Sequence, residues 1–270
     1  MLKQLRGDLE YLQMYRSIIT GKNVTTIIEY VNGLTIHDFG ETIRRNRVLL
    51  REYEKNRVTA ILAIYRSLFR IISQLHSKHH IAHRDLNLNN IVILLDGEGK
   101  FVLDDRGDPK IKLLDFGSAC NISPSDIPYG LEASTTELQS YSPMGESSPV
   151  SKIVETSDEA TNASSPIAGA TFYRSHGVTP LYYSRALCER TNICFHDYWC
   201  IIILIYYLYN LKYPDTKEQS VCEYIDNFCH DPVGQTQHLL VKENRTLYEI
   251  QNAIINYNLP SGHLGGQLRP

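Results

Sequence analysis

The sequence lacks the features that mark secreted and membrane-spanning proteins. Its six cysteines include no C-x-x-C pair, a pattern typical of reduced thiols inside a cell. Its uninterrupted apolar runs are too short to cross a membrane: the longest, Tyr198 to Tyr209, has about twelve residues and predicts a buried core helix. No long apolar region follows Met1, so no secretory signal is expected.

The charge balance gives no general attraction for a polyanion. Lys and Arg total 27 against 30 Asp and Glu, for a formal net charge of -3. A chain so close to neutral has no electrostatic reason to bind nucleic acid or an anionic membrane surface. The 43% hydrophobic content is typical of a packed core. We therefore expect a globular protein of the cytoplasm or nucleus, with neither nucleic acid nor a membrane as a partner.

One polar loop concentrates side chains that can do chemistry. His83, Arg84 and Asp85 open it, and Asn90 closes it just before the apolar run from Ile91 to Leu95. That run predicts a strand. An aspartate can take a proton and an asparagine can hold a metal ion, so the loop combines two functions of a catalytic site.

A second carboxylate is predicted at the end of a second strand. About twenty-five residues after the first loop, a run with apolar Ile111, Leu113 and Leu114 leads into Asp115-Phe116-Gly117. Asp-Phe-Gly by itself is also an ordinary turn sequence. In combination with the first loop, it predicts two strands that present both carboxylates and the asparagine together.

The two motifs resemble the protein kinase family, whose catalytic loop reads H-R-D-L-x-x-x-N and whose magnesium loop reads D-F-G. Their order and spacing both match. The resemblance implies an α+β, protein kinase-like fold with a mainly helical large lobe, and ATP and Mg²⁺ as cofactors. It assigns Asp85 as the catalytic base, Asn90 and Asp115 as Mg²⁺ ligands, and Gly117 as the residue that permits the turn aiming Asp115.

The resemblance also assigns roles to the neighbouring residues. Arg84 would meet a phosphate on the activation segment, and His83 and Phe116 would be packing residues. Thr179 lies in Thr179-Pro180-Leu181-Tyr182-Tyr183-Ser184, which resembles the substrate-docking loop T-P-x-Y-x-[AS]-P-E and favours Ser/Thr acceptors in a protein substrate. Arg185 and Ala186 depart from that pattern, so the ion pair that anchors this segment in the family is not expected.

The beginning of the chain predicts a β-hairpin. Residues 11–19 and 24–31 are β-rich runs separated by a polar turn that contains Gly21. By the resemblance they are strands four and five of a kinase small lobe, with Glu29 and Val31 in the hinge that would bind adenine. An edge hairpin of any α+β domain would fit the same residues.

About ten residues precede this hairpin, too few for three strands and a helix. The Gly-rich phosphate cover, the third-strand Lys and its Glu partner therefore have no counterpart, and neither Gly7 nor Glu10 substitutes for them. Residues 1–34 are interpreted as the remnant of a small lobe. Residues 35–117 and 171–258 are interpreted as the large lobe, and 259–270 as a tail.

Helices are predicted after the hairpin. Residues 35–55 are polar and indicate one or two solvated helices, while residues 58–79 carry apolar side chains at helical spacing and predict a long amphipathic helix. Four histidines have a spacing that could place metal ligands on one helical face: His76, His79, His80 and His83. We expect no metal there, because the helix should end before the last of them. Residues 96–109 are expected to form a solvated connection between two strands.

Residues 118–170 change in composition and are dominated by Ser, Thr, Pro and acidic side chains. Such a segment predicts a disordered insertion within the activation segment. It contains four Ser-Pro pairs, at Ser123, Ser142, Ser148 and Ser165. Proline-directed kinases are therefore candidate partners, and a passive low-complexity insertion is the alternative.

Three functions remain open from the sequence. The first is a protein kinase whose chain is incomplete at its N-terminus. The second is a pseudokinase that acts as a binding module, which is favoured by the missing Lys, by Ala186, and by Asn87 where Ser/Thr kinases carry a Lys that contacts the γ-phosphate. The third is a small-molecule kinase of the aminoglycoside phosphotransferase type. Arg84 disfavours it, as does Asp197-Tyr198-Trp199, which resembles the D-x-W that opens the central helix of the large lobe in protein kinases.

Overall fold

The computed structural model describes residues 4–123, 182, 193–214 and 236–257. Its strands are β1 (Met14–Thr20), β2 (Asn23–Ile28), β3 (Gly33–Thr35), β4 (Ile81–Ala82), β5 (Ile91–Leu94), β6 (Ile111–Leu113) and β7 (Cys120–Asn121). Its helices are α1 (Ile36–Arg45), α2 (Arg47–Ser77), α3 (Cys194–Asn210) and α4 (Arg245–Tyr257), with a 3-10 turn at Gln237–Leu239. The expected α+β composition is confirmed. Most of the Ser/Pro-rich insertion and the segment with Thr179, Arg185 and Ala186 lie outside the described residues.

Helix α2 starts eleven residues before the predicted long helix. The side chain of Asn46 accepts hydrogen bonds from Val48 N (3.0 Å) and Leu49 N (3.2 Å), which satisfies two of the amide groups left open at a helix start. The prediction that the helix begins near Val58 is wrong, because the preceding turns carry few core residues and apolar periodicity does not detect them. The polar stretch 35–55 is therefore divided between α1 and the exposed first turns of α2.

Helix α3 lies at the centre of the large core. The cysteine, tryptophan, isoleucine and leucine residues of its interior are buried on every side, as its uniformly apolar sequence predicts. Its carboxyl end is stabilised by α2: Tyr53 donates to Leu208 O (2.8 Å) and Arg57 donates to Tyr209 O (2.9 Å). These bonds satisfy carbonyl groups that a helix terminus leaves without partners.

A glycine on α1 allows a close approach to α3. A Cβ atom at Gly40 would lie 2.6 Å from the hydroxyl oxygen of Tyr207 and 2.7 Å from its ring. Tyr207 donates in turn to the carbonyl of His37 (3.2 Å). The absence of a side chain at Gly40 therefore sets how closely α1 packs on α3.

By length and mean hydropathy, α2 is apolar enough to cross a membrane. The expectation that no segment reaches that length is wrong by this measure, because it considered uninterrupted apolar runs only. The apolar residues of α2 contribute to the main core, among them Ile61, Leu68 and Ile72, and the core helix of a globular protein passes the same test. The helix therefore gives weak evidence for a membrane.

Three small antiparallel sheets position the loops of the site. Strands β3, β5 and β6 form one sheet in that order, with Ile91 opposite Leu113 and Ile93 opposite Ile111. Strands β4 and β7 form a second pair. The predicted strands at 91–95 and 111–114 are confirmed to within one residue, because both are short, apolar and bounded by turn residues.

The predicted N-terminal hairpin is present as β1 and β2, with Ile19 opposite Val24. The second strand ends at Ile28, so Glu29, Tyr30 and Val31 lie outside it, contrary to the predicted run of 24–31. Residues before the hairpin pack on the large core: Tyr11 is buried, and the backbone on either side of it is hydrogen-bonded to Leu113.

The connection between β5 and β6 is largely exposed, as predicted for residues 96–109, but its second half is also docked on α2. Arg66 makes a bidentate ion pair with Asp108, and Arg70 donates to Asp104 at 2.6 Å. The carboxylate of Asp104 also accepts the amide of Asp108 (3.0 Å). Ion pairs between residues 34 and 42 positions apart leave no signal in local composition, so the sequence could not predict this docking.

Candidate active site

The loop of residues 83–90, called the catalytic loop below because of the resemblance, holds Asp85 through two asparagine side chains. Asn90 Nδ2 donates to the Asp85 backbone oxygen (2.9 Å) and to Asp85 Oδ2 (3.1 Å), and Asn87 Nδ2 donates to Asp85 Oδ1 (3.2 Å). Burial raises the pKa of Asp85 above its usual range, and the negative charge of Asp115 adds to the rise. The loop therefore carries an oriented carboxylate that has some of the basicity required for proton transfer.

Asp115 reaches the site at the end of β6. The Leu114 amide donates to Asn90 O (2.8 Å), so the backbones of the two loops are directly joined. Asp115 has a left-handed backbone (φ 51°), and its Oδ1 accepts the amide of Gly117 (3.0 Å). Such a conformation costs a non-glycine residue on the order of 1 kcal/mol and is concentrated at functional sites.

His83 and Phe116 pack against each other beneath the two loops. Their ring centroids are 4.8 Å apart, and the histidine Nε2 lies 2.7 Å from the carbonyl oxygen of Leu114. Burial lowers the pKa of His83, which favours a neutral ring that donates to this carbonyl. Tyr11 contacts the other side of Phe116 with a centroid distance of 6.0 Å.

A residue without a predicted site role, Asp197 of α3, anchors the catalytic loop from below. Its Oδ2 accepts the amide of His83 and its Oδ1 accepts the amide of Arg84, both at 2.8 Å. The Nε2 of His76 lies 2.8 Å from the same carboxylate. Asp197 is fully buried, and its pKa is held below the usual range because the partners, above all His76, outweigh the effect of burial. The sequence signal was its place in the Asp197-Tyr198-Trp199 pattern at the start of α3, which does not by itself specify these partners.

The histidines with metal-ligand spacing have separate partners. His76 contacts Asp197, and His79 pairs with Asp8 of the N-terminal segment. His83 contacts the Leu114 carbonyl. Within the residues that the structure describes, no group of three or more His, Cys, Asp or Glu side chains could hold a metal ion.

The predicted hinge lies between the hairpin and β3. The Glu29 amide donates to Gln13 O (2.9 Å), and Asn32 contacts the Leu95 and Asp96 carbonyl groups. Within the described part of the chain, the Val31 amide and the Glu29 carbonyl make no backbone hydrogen bond. The segment therefore presents a donor and an acceptor to a ligand.

Part of the predicted docking loop is present beside the catalytic loop. Tyr182 is 4% exposed and belongs to the main core. Burial raises the pKa of its phenol, and the charge of Asp85 adds a minor contribution to that rise. Thr179 is not among the described residues.

Stability is expected to decline as the pH falls from 6.5 to about 4. His196 of α3 is fully buried with its Nε2 3.1 Å from the Arg84 carbonyl oxygen, and burial lowers its pKa from 6.5 to about 4. Between these values the unfolded chain binds a proton that the folded chain excludes, so stability present above pH 6.5 is lost on acidification. One such proton changes the free energy of unfolding by roughly 1.4 kcal/mol per pH unit.

Urea unfolding at about pH 7 and about pH 5 measures this loss. The variant His196→Gln should show a shallower dependence, with the remainder attributable to His83, whose pKa is also lowered by burial. An unchanged slope in His196→Gln would contradict the assignment of the effect to His196.

Comparison with known proteins gives one family match. The model of the protein kinase domain matches residues 1–138, just over half of the 270 residues. A solved structure similar to this chain is the PK-1 kinase of the Cydia pomonella granulovirus, at 14% identity and a TM-score of 0.47. That alignment covers 95% of this chain and 74% of the viral one. No curated protein matched the sequence.

Proposed function

Because the chain belongs to the protein kinase family, we propose that it transfers the γ-phosphate of ATP to a Ser or Thr hydroxyl of a protein substrate. The observation that carries this proposal is the junction of the two loops: Asn90 contacts Asp85 and is bonded through its backbone to the residue before Asp115. A base and two metal-ligating groups within one junction are what phosphoryl transfer requires of a protein.

The residues present fit a magnesium ion. Asp115 and Asn90 supply carboxylate and amide oxygens, the class of ligand that Mg²⁺ prefers. The amide nitrogen of Asn90 is directed to Asp85, and no donor among the described residues contacts its oxygen. A Cβ at Gly117 would lie 3.0 Å from Asp115 Oδ1, so glycine there leaves room around the carboxylate. When bound, the ion would neutralise charge on the phosphates.

The hinge fits the adenine of ATP. The Val31 amide and the Glu29 carbonyl, which have no backbone partner among the described residues, would supply a donor and an acceptor to the polar edge of a planar base. Asp85 would accept the proton of the attacking hydroxyl, since burial raises the pKa of this carboxylate towards that of an effective base. The preference for Ser or Thr rests on Thr179, in the sequence that resembles the docking loop.

A pseudokinase is the second candidate, and Asn87 favours it. Its side chain donates to Asp85, at a position where Ser/Thr kinases carry a lysine for the γ-phosphate. The loss of one preorganised donor typically costs a factor of about 10² to 10³ in rate. In this alternative the protein binds a partner, with or without nucleotide, and does not turn over.

The test is a phosphoryl-transfer assay on the full-length protein as its transcript encodes it. With labelled Mg-ATP and a generic Ser/Thr substrate, the protein should label the substrate, and Asp115→Asn should abolish labelling because it removes a charged metal ligand. Nucleotide binding by the wild type without any transfer would favour the pseudokinase. Transfer that survives Asp115→Asn would contradict the metal assignment.

A further inference from the structure

A buried ion pair connects the hinge with the strand that leads to Asp115. Lys112 Nζ lies 2.7 Å from Glu29 Oε1, with only 7% and 15% of the two side chains exposed. Lysine and glutamate are rarely buried to this extent unless they are paired. Lys112 is the central residue of β6, and its neighbours Ile111 and Leu113 belong to the main core, so the lysine extends from the opposite face of the sheet.

The lysine end of the pair is fixed relative to the catalytic loops. Its strand is paired with β5 in the register Val92 to Lys112, and β5 begins directly after Asn90. The strand itself ends two residues before Asp115. Any displacement of Lys112 would therefore displace both proposed metal ligands.

The glutamate end is fixed to the base of the hairpin. Glu29 Oε1 also accepts the Gln13 amide (2.6 Å), while the Glu29 amide donates to the Gln13 carbonyl (2.9 Å). The Gln13 side chain contacts four backbone groups of the N-terminal segment: Leu5 O, Gly7 N, Asp8 O and Tyr11 O. The Glu29 carboxylate thus joins the base of the hairpin to β6, beside the backbone bonds that Glu10 and Leu12 make with Leu113.

Among the described residues, few contacts hold the centre of the hinge, residues 30 and 31. Tyr30 is 90% exposed, and the next connection to the large lobe is at Asn32, whose amide donates to Leu95 O (3.0 Å) and Asp96 O (3.1 Å). The Glu29 carbonyl and the Val31 amide therefore lie between the contacts of Glu29, with Lys112 and Gln13, and those of Asn32. The ion pair between Lys112 and Glu29 is the contact with β6 that lies next to the proposed adenine-binding groups.

We propose that Lys112 is a positioning residue that sets the separation between the adenine-binding hinge and the metal loop. The proposal rests on the function proposed above, since it assigns the purpose of the pair to nucleotide binding. In a site of low dielectric, a charge pair restrains two segments more strongly than a neutral contact. ATP would contact the hinge and the metal loop at the same time, so it binds more tightly when the distance between these two segments is already correct before binding.

The test compares Lys112→Met with Lys110→Met. Lys110 is exposed and only two residues away, which makes it a matched control for the loss of one lysine. In the full-length protein without nucleotide, the Glu29 and Gln13 amides, which are hydrogen-bonded to each other's residue at the base of the hinge, should exchange at least tenfold faster in Lys112→Met than in Lys110→Met, with α4 unchanged. The dissociation constant for Mg-ATP should rise about tenfold in Lys112→Met alone.

Two further variants separate positioning from general destabilisation. Lys112→Arg keeps the charge and should restore both exchange and affinity towards wild type. Glu29→Gln still accepts the Gln13 amide but loses the ion pair, and combining it with Lys112→Met should add little to either single change. If Lys112→Met does not fold, Glu29→Gln can be compared with wild type and Lys112→Arg in the same two measurements.

Two outcomes decide the proposal. Equal exchange of the Glu29 and Gln13 amides and equal Mg-ATP affinity in the two lysine variants would overturn it. If the wild type binds no nucleotide, the proposed function fails, and with it the role of Lys112 in nucleotide binding. The exchange measurement still decides separately whether Lys112 holds the hinge.

Discussion

Asp197→Ala is expected to lower the free energy of unfolding by roughly 3 to 5 kcal/mol, the range for removing one partner of a buried charged network. The carboxylate is fully buried and accepts the His83 and Arg84 amides, each at 2.8 Å, with His76 as its third partner. Alanine would leave the two buried amide groups without this acceptor, and such groups are costly to bury unpaired. The backbone at His83 and Arg84 should also become more mobile, because it loses these two hydrogen bonds.

Urea unfolding followed by circular dichroism measures this effect. Asp105→Ala is the control, because Asp105 is exposed and its replacement should change stability by at most about 0.5 kcal/mol. Asp197→Asn should be intermediate, since an amide keeps one acceptor oxygen but loses the charge. If Asp197→Ala and Asp105→Ala unfolded at the same urea concentration, the anchoring role of Asp197 would be wrong.

Asp85→Asn is expected to reduce kcat by about 10² to 10⁴, the usual contribution of a general base, while Mg-ATP affinity changes little. Asparagine has nearly the same shape and can still accept the Asn90 amide, which now donates to Asp85 Oδ2 at 3.1 Å. What is lost is the capacity to take a proton from the acceptor hydroxyl. The free energy of ATP binding should be almost unaffected, because Asp85 is not assigned as a metal ligand.

The measurement is steady-state kinetics on the full-length protein, with Mg-ATP binding determined separately. Asp115→Asn is the matched comparison: it should reduce both turnover and Mg-ATP affinity, since that carboxylate is assigned to the metal. The two variants should therefore differ in binding and agree in loss of turnover. A large loss of Mg-ATP affinity in Asp85→Asn, or a kcat within threefold of wild type, would refute the assignment of Asp85 as base.

The catalytic loops could be predicted because their chemistry is local in the chain. Asp85 and Asn90 are five residues apart, and the short apolar run after them becomes β5. The run that leads to Asp115 becomes β6 for the same reason: β-rich apolar residues bounded by polar turns have few alternatives in a packed domain. The supporting residues could not be predicted in this way.

What the sequence determined by itself was the identity and order of the two loops, the strands that deliver them, and the buried character of α3. Each of these is encoded by neighbouring residues, through periodicity or motif spacing. Only the tertiary structure decided that Asp197 holds the His83 and Arg84 amides and that Lys112 reaches Glu29. These partners are separated by 114, 113 and 83 residues, and such contacts depend on how helices and sheets pack, which no local pattern specifies.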